Sequence, residues 1–380
     1  MPDQDEEKLF TDEDETAEAS VQLPTVHERE VYTTPSDPDV KTLLGRIEDK
    51  SLILHPKFQR ASVWDNKRKS RLVESLLLNL PIPPCFLAED EDGTRVVVDG
   101  QQRLIAIDDF YHGRYELTGL EVLADLNGMK WADLPPRYDR KMLQRVIRTL
   151  VISYYTNPEI RFIIFERLNT GAVPLLDQEI RNATLSGSFN TLLDELAKSA
   201  QFQNALGIDV PDLRLRHHEL VLRFFAVDST LEDYRPPLKL ILTNYMRAHR
   251  NAIPTTIAAL KAKFEESLNA SVDAFGDNVF RKFRVQDPTR GAYEGGVSKA
   301  LFDLQMITLG GIPQQDLAAN RDAINDAFQQ LVRNDHEFSE ALSRATDHRS
   351  RFYLRLRRWT AALEVLGMHS PAADRLPAEE

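Results

Sequence analysis

Apolar positions along the chain follow one rhythm in the first half and another in the second, and the change marks its organisation. Over 39–50, Val40, Leu43, Leu44 and Ile47 recur at three- and four-residue spacing, which predicts a helix with one buried face, and Leu52-Ile53-Leu54 follows as a short extended stretch. Leu72, Val73, Leu76, Leu77 and Leu80 stripe a second helix over 66–79. Pro81-Ile82-Pro83-Pro84 stops it, because proline cannot donate to the helical ladder. Segments 85–88 and 94–98 flank an acidic turn ending in Asp92-Gly93, and this predicts a β-hairpin. Val96-Val97-Val98 then runs through Asp99-Gly100-Gln101-Gln102-Arg103 into Leu104, Ile107, Asp108 and Tyr111 at helical spacing, giving strand, tight turn, helix. Segment 150–155 reads as a further strand, and 158–168 as a helix closed by Asn169-Thr170-Gly171. From residue 186 onward strand signals nearly vanish. Leu220, Val221, Phe224 and Phe225, then Val297, Leu301, Leu304 and Ile307, then Phe352, Leu356 and Trp359 all keep the helical interval. The fold class expected is therefore α+β over 29–185, followed by an all-helical domain over 186–368 and a frayed C-terminal tail at 369–380. No fixed-period repeat is present.

Charge sharpens this outline. Residues 1–20 hold nine acidic side chains and one lysine, a net of −8 out of the chain's −12, so the remainder carries only −4. Segment 1–28 reads as a disordered acidic tail. Three windows are locally basic: 57–71 and 344–358 each hold six Lys/Arg and one acid, and 137–148 holds five and one. Lys67, Arg68 and Lys69 in the first are candidates for DNA phosphate contacts. In the last, Arg351, Arg355 and Arg358 are spaced by four and three residues and so share a helix face, which makes them candidates too. Each window equally fits a solvated face paired with acids, and the last helix better fits an amphipathic clamp with snorkelling arginines.

Composition excludes several classes. The 380 residues suggest about two domains at ~100–200 residues each, and 42% hydrophobic with 28% charged residues is ordinary globular usage. The single cysteine, Cys85, cannot form an intramolecular disulfide, no basic-then-apolar leader opens the chain, and no apolar run approaches the ~20 residues of a membrane span. A cytoplasmic location is the expectation.

The sharpest chemistry lies at Asp99, Gly100, Gln101, Gln102 and Arg103. Asp99 is suited to cap the helix, Gly100 permits a tight backbone path, and the free N–H groups of a first helical turn favour anions. Gln101 and Gln102 can donate amide hydrogens and Arg103 can grip phosphate as a bidentate fork. The competing reading is a capped helix whose Arg103 pairs with a carboxylate. Two further clusters accompany it: Phe58-Gln59-Arg60 with Val63-Trp64, and Phe165-Glu166-Arg167-Leu168-Asn169-Thr170-Gly171.

Together these stretches resemble the N-terminal domain of GmrSD-type modification-dependent restriction endonucleases, also called domain of unknown function 262. The Gln-Arg…Trp entry, the Pro-Ile-Pro-Pro stop, the Asp-Gly-Gln-Gln-Arg turn, the Phe165 to Gly171 stretch and Asp177-Gln178-Glu179-Ile180-Arg181-Asn182-Ala183 all carry the resemblance, which spans about residues 35–185. It persists more weakly in His218-Glu219-Leu220 and over 296–309. The resemblance implies a ParB/sulfiredoxin-like N-terminal domain in which Asp99, Gly100, Gln101, Gln102 and Arg103 hold nucleotide phosphates, Gln59 and Arg60 converge on them, and Arg167 and Asn169 lie nearby. It further implies nucleotide-stimulated cleavage or nicking of DNA in restriction and anti-phage defence.

Two function classes follow. In the first, the chain is a nucleotide-binding module that takes a nucleoside triphosphate with Mg2+ and hydrolyses it. Asp99, Gln102 and Arg103 form the catalytic set, with Glu166 orienting the attacking water. In the second, it is a non-catalytic DNA-binding or scaffold protein that works with a separate nuclease or methyltransferase partner. The chain departs from larger relatives in lacking a His-Asn-His cluster. His217 and His218, adjacent in sequence, point to different helix faces and suit no shared metal. No Gly-x-x-x-x-Gly-Lys-[Ser/Thr] loop occurs.

Overall fold

Alternation along three neighbouring strands builds the N-terminal unit. A computed structural model of the protein describes residues 31–54, 64–90, 92–156, 160, 164, 176–185, 187–207, 215–286 and 290–378. The chain divides between Thr184 and Leu185 into two units. The first contains a five-stranded sheet in the order β1-β5-β3-β4-β2, with β1 Thr33–Ser36, β2 Leu52–Ile53, β3 Cys85–Glu89, β4 Arg95–Asp99 and β5 Thr149–Ile152. β1 and β3 flank β5 antiparallel and parallel respectively, β4 runs antiparallel to β3, and β2 runs parallel to β4. Cys85, Leu87, Val97 and Val151 face a large apolar core. Their neighbours Ala88, Val98 and Ile152 point to the opposite side, where Ile180 packs on them.

Helices cover the larger core. α1 (Val40–Glu48) is capped by Asp39, whose carboxylate accepts the Thr42 N–H, and α2 (Asn66–Leu77) is capped in the same way by Asp65. α3 (Gln101–Tyr111) and α4 (Pro136–Leu143) complete this layer, and α5 (Asp177–Thr184) supplies Ile180 to the other face. The expected helices at 39–50 and 66–79 and the hairpin therefore form. Strand β1 carries no apolar alternation in Thr-Thr-Pro-Ser and was not foreseen. Segments 1–28, 55–63 and nearly all of 157–175 lie outside the described residues, and the expectations placed on them with them.

One buried carboxylate organises the long connection after α3. Glu74 of α2 accepts the N–H groups of Glu121, Val122 and Leu123 on the same oxygen, at 3.0, 2.8 and 2.9 Å. Hydrogen bonds to a charged acceptor outweigh neutral ones. Replacing Glu74 by alanine is expected to cost about 2 kcal/mol in urea denaturation, with Glu74→Gln intermediate because it keeps an oxygen. A loss within measurement error for the alanine variant contradicts this assignment.

The second unit is helical: α6 (Ser188–Ala197), α7 (Ala200–Leu206), α8 (Arg216–Ser229), α9 (Leu238–Ala248), α10 (Pro254–Phe275), α11 (Lys299–Leu309), α12 (Gln314–Ala319), α13 (Arg321–Asn334), α14 (His336–Ala341) and α15 (Arg349–Val365). They share one apolar core that includes Phe264, Phe275, Phe328 and Trp359. The all-helical expectation is corrected in one place. β6 (Arg281–Val285) and β7 (Gly291–Val297) pair as an antiparallel ribbon. Its charges and glycines hide the strand signal, but Phe283 packs against Tyr293 with ring centroids 5.2 Å apart, and Gly291 leaves room for the Phe283 ring.

The frayed C-terminal tail is also corrected. Met368, Ser370 and Ala372 are buried, the Ser370 hydroxyl donates to the Thr308 carbonyl at 2.6 Å, and Arg375 pairs with Asp228 at 2.9 Å. His369 bridges Asp374 and Glu364, and its hydrogen bonds to these two carboxylates raise the imidazole pKa above its ordinary value.

Candidate nucleotide phosphate site

The corner between β4 and α3 is shaped by a bulge and a left-handed glycine. Asp99 pairs with Phe86, but the next register pair is Val97 with Leu87, so Val98 is an extra residue on β4. Such bulges bend a strand and re-aim the side chain beside them. Gly100 follows at φ 93°, ψ 6°, and its carbonyl accepts the first helical N–H groups, from Arg103 at 3.0 Å and Leu104 at 3.1 Å. A Cβ on Gly100 would be driven into the Cys85 thiol and would stand 3.0 Å from the Cys85 Cβ and 3.1 Å from Arg103 Nη2. Only glycine fits there without displacing its neighbours. Burial pushes the Cys85 thiol up to about 11, so this side chain acts as an apolar floor.

Asp99 does not cap the helix. The cap is Gly100, and among the described residues no side chain caps the first turn. Asp99 is instead the partner of Arg103 at 2.6 Å, one helical turn on. The other guanidinium nitrogen, Nη1, donates to the Pro83 carbonyl and, at 3.3 Å, to that of Pro84. Arg103 is thus a buckle that ties α3 to the proline turn after α2, and its fork is already occupied. The arginine is paired with a carboxylate, as the competing reading expects, and among the described residues no side chain caps the helix end. Gln101 and Gln102 occupy the first two helical positions, whose N–H groups have no acceptor within the helix. Both side chains are half-buried, and Gln102 Oε1 is buried without a hydrogen-bond partner.

Residues 40–186 match the GmrSD restriction endonuclease, N-terminal domain family. The GmrSD match runs from the start of α1 to just past α5, and so covers the helical layer, four of the five strands and the 99–103 corner. A comparison with curated proteins gave no match.

Within the GmrSD domain, Asp99, Gly100, Gln101, Gln102 and Arg103 are together at the corner. Gln59, Arg60, Glu166, Arg167 and Asn169 lie outside the described residues. The basic candidates separate by burial. Lys67 and Arg68 are exposed, with the Arg68 guanidinium 4.6 Å from the Trp64 ring centre. Lys69 is 6% exposed and bonded to Asp109 at 2.7 Å, which corrects its assignment as a DNA contact. Arg355 is fully buried, against Asp303 and the carbonyls of Thr346 and Ala341, and is corrected likewise. Arg351 is half-buried and donates to the Arg344 carbonyl at 2.9 Å, whereas Arg358 is exposed and bridges Asp335 at 3.3 Å. His217 and His218 are both buried, and His218 meets Asp194 at 3.1 Å. Among the described residues no three His, Cys, Asp or Glu side chains stand together to hold a metal, and no helix is long and apolar enough to cross a membrane.

Proposed function

We propose that the chain is a component of a DNA restriction or anti-phage defence system whose GmrSD N-terminal domain binds a nucleoside triphosphate at the 99–103 corner. The observation that carries this reading is the uncapped first turn of α3 behind Gly100. Phosphate oxygens are the acceptors that the orphan N–H groups of Gln101 and Gln102 lack, and the positive end of the helix favours their charge. A half-turn of the Gln102 amide replaces its unpartnered oxygen with the Nε2 donor, which suits the same oxygens. Arg103 serves as a positioning residue, holding the helix end against Pro83 and Pro84 while Asp99 balances its charge. Mg2+ enters as the companion of the triphosphate, whose oxygens supply its ligands.

Calorimetric titration with the four ribonucleoside triphosphates and Mg2+ tests the reading. Gln101→Ala combined with Gln102→Ala is expected to weaken binding at least about tenfold, or 1.4 kcal/mol, with the melting temperature within about 2 °C of the wild type. Undiminished affinity in this variant removes the two side chains from the site, and undiminished affinity in Gly100→Ala as well, where the backbone that presents the N–H groups is altered, removes the corner. Phosphate release with and without DNA then separates a hydrolase from a nucleotide-gated switch.

A further inference from the structure

The turn between α14 and α15 borders two clefts of about 620 and 600 Å3, and arginines dominate the cationic lining of both. Lys282, Arg284 and Arg344 line the first, and Arg349, Arg357 and Arg358 line the second. Glu294 is the one acidic side chain lining either cleft among the described residues, and Arg284 takes it up at 2.7 Å, while Arg358 is matched from outside the lining by Asp335 at 3.3 Å and Glu337 at 3.8 Å. No described carboxylate pairs with Arg344. Arg357 donates to the neutral carbonyls of Pro377 and Ala378, at 2.5 and 3.2 Å, so its positive charge is not cancelled. Arg349 and Arg357 both place Cζ 5.7 Å from the Tyr353 ring centre. They are two turns apart on α15, about 12 Å along the axis at 1.5 Å per residue.

The geometry points to a nucleic-acid docking face on the C-terminal unit, on which the phosphate backbone of duplex DNA runs past the α14–α15 turn from one cleft to the other. Two cationic clefts exceed what a single phosphate group needs and suit an extended polyanion. Guanidinium forks match phosphate oxygens in bidentate geometry. The choice of DNA over an acidic protein segment rests on the restriction reading above. Of the 351, 355, 358 stripe expected from sequence, the face keeps Arg358 alone. Arg355 of that stripe is buried, and the accessible cations come from the turn and from the neighbouring edge of the helix.

Binding of a fluorescently labelled short duplex, measured by anisotropy without nucleotide between about 50 and 200 mM salt, tests the proposal. The affinity is expected to fall linearly on a log-log scale, and Arg344→Gln with Arg357→Gln is expected to lower the slope by about 2, at ~0.9 for each phosphate that is no longer neutralised. Arg351→Gln is the control: Arg351 lies 3.9 Å from Glu340 and lines neither cleft, so the slope holds. An unchanged slope in the double variant, or no duplex binding at the lowest salt, overturns the proposal. So does equal binding of polyglutamate, which assigns the face to an acidic protein partner. Nucleotide titration of the same double variant is expected to match the wild type. A loss of nucleotide binding confined to the Gln101 and Gln102 variant reports on the corner and leaves this face standing.

Discussion

Replacing Asp303 by asparagine is expected to destabilise the C-terminal unit by about 3–5 kcal/mol, the range seen when one partner of a buried ion pair is removed. Asp303 on α11 is 1% exposed and accepts from Arg223 Nε on both oxygens at 2.8 Å, while Arg223 Nη2 reaches the same carboxylate at 2.8 Å and Asp347 at 3.2 Å. Arg355 Nη2 stands 3.8 Å away on the other side. The substitution keeps the shape and takes from two buried guanidinium groups the carboxylate that they share, with Asp347 a counter-charge that stays beside Arg223. At roughly 2–4 °C per kcal/mol for a unit of this size, the melting temperature falls by about 6–20 °C. Removing all three charges together, by Arg223→Met, Asp303→Leu and Arg355→Met, is expected to recover much of the loss, since it abolishes the desolvation cost along with the attraction. A melt of Asp303→Asn within about 2 °C of the wild type would show that the cluster carries no net weight.

The same cluster explains where sequence reading worked and where it stopped. Arg351, Arg355 and Arg358 share a face by spacing, but Arg355 also sits three residues after Phe352 and four before Trp359, inside the apolar stripe of its helix. Asp303 and Arg223 each interrupt an otherwise apolar run, Leu-Phe-Asp-Leu and Val-Leu-Arg-Phe-Phe. Three charges placed on apolar stripes are a signal for a buried, mutually paired cluster, legible once the three are considered jointly. In the N-terminal unit the proline stop, the Asp-Gly hairpin and the strand-to-helix corner were legible because each is fixed by local backbone chemistry. The pairing of Asp99 with Arg103 was available as a four-residue spacing between opposite charges. The contact of Arg103 with Pro83 and Pro84 was not, since it depends on the tertiary approach of the turn after α2. Strand β1 and the β6–β7 ribbon were missed for a related reason: partners distant in sequence or across a charged turn stabilise them, against weak intrinsic strand preference.

Gly100→Ala is expected to be the most damaging single substitution in the GmrSD domain. A backbone at φ 93° is strained for any residue with a Cβ, at about 1–3 kcal/mol. The added methyl also collides with the Cys85 thiol beneath it, and overpacking of this kind costs about 1–3 kcal/mol more. The two contributions have separate remedies. Cys85→Ala in the same chain removes the sulfur and relieves the collision, although the Cys85 Cβ still lies 3.0 Å away and the φ strain persists. Urea denaturation of the four proteins in this cycle is therefore expected to be non-additive, the double variant recovering roughly 1–3 kcal/mol of the loss. Under the phosphate reading, its nucleotide affinity stays below that of Cys85→Ala alone, because relaxing the glycine's left-handed backbone turns the Gln101 and Gln102 N–H groups out of line. Additive energies would show that the thiol does not pack beneath the glycine. Full stability with full nucleotide affinity in Gly100→Ala would show that the corner neither needs this backbone conformation nor uses it to present the helix end.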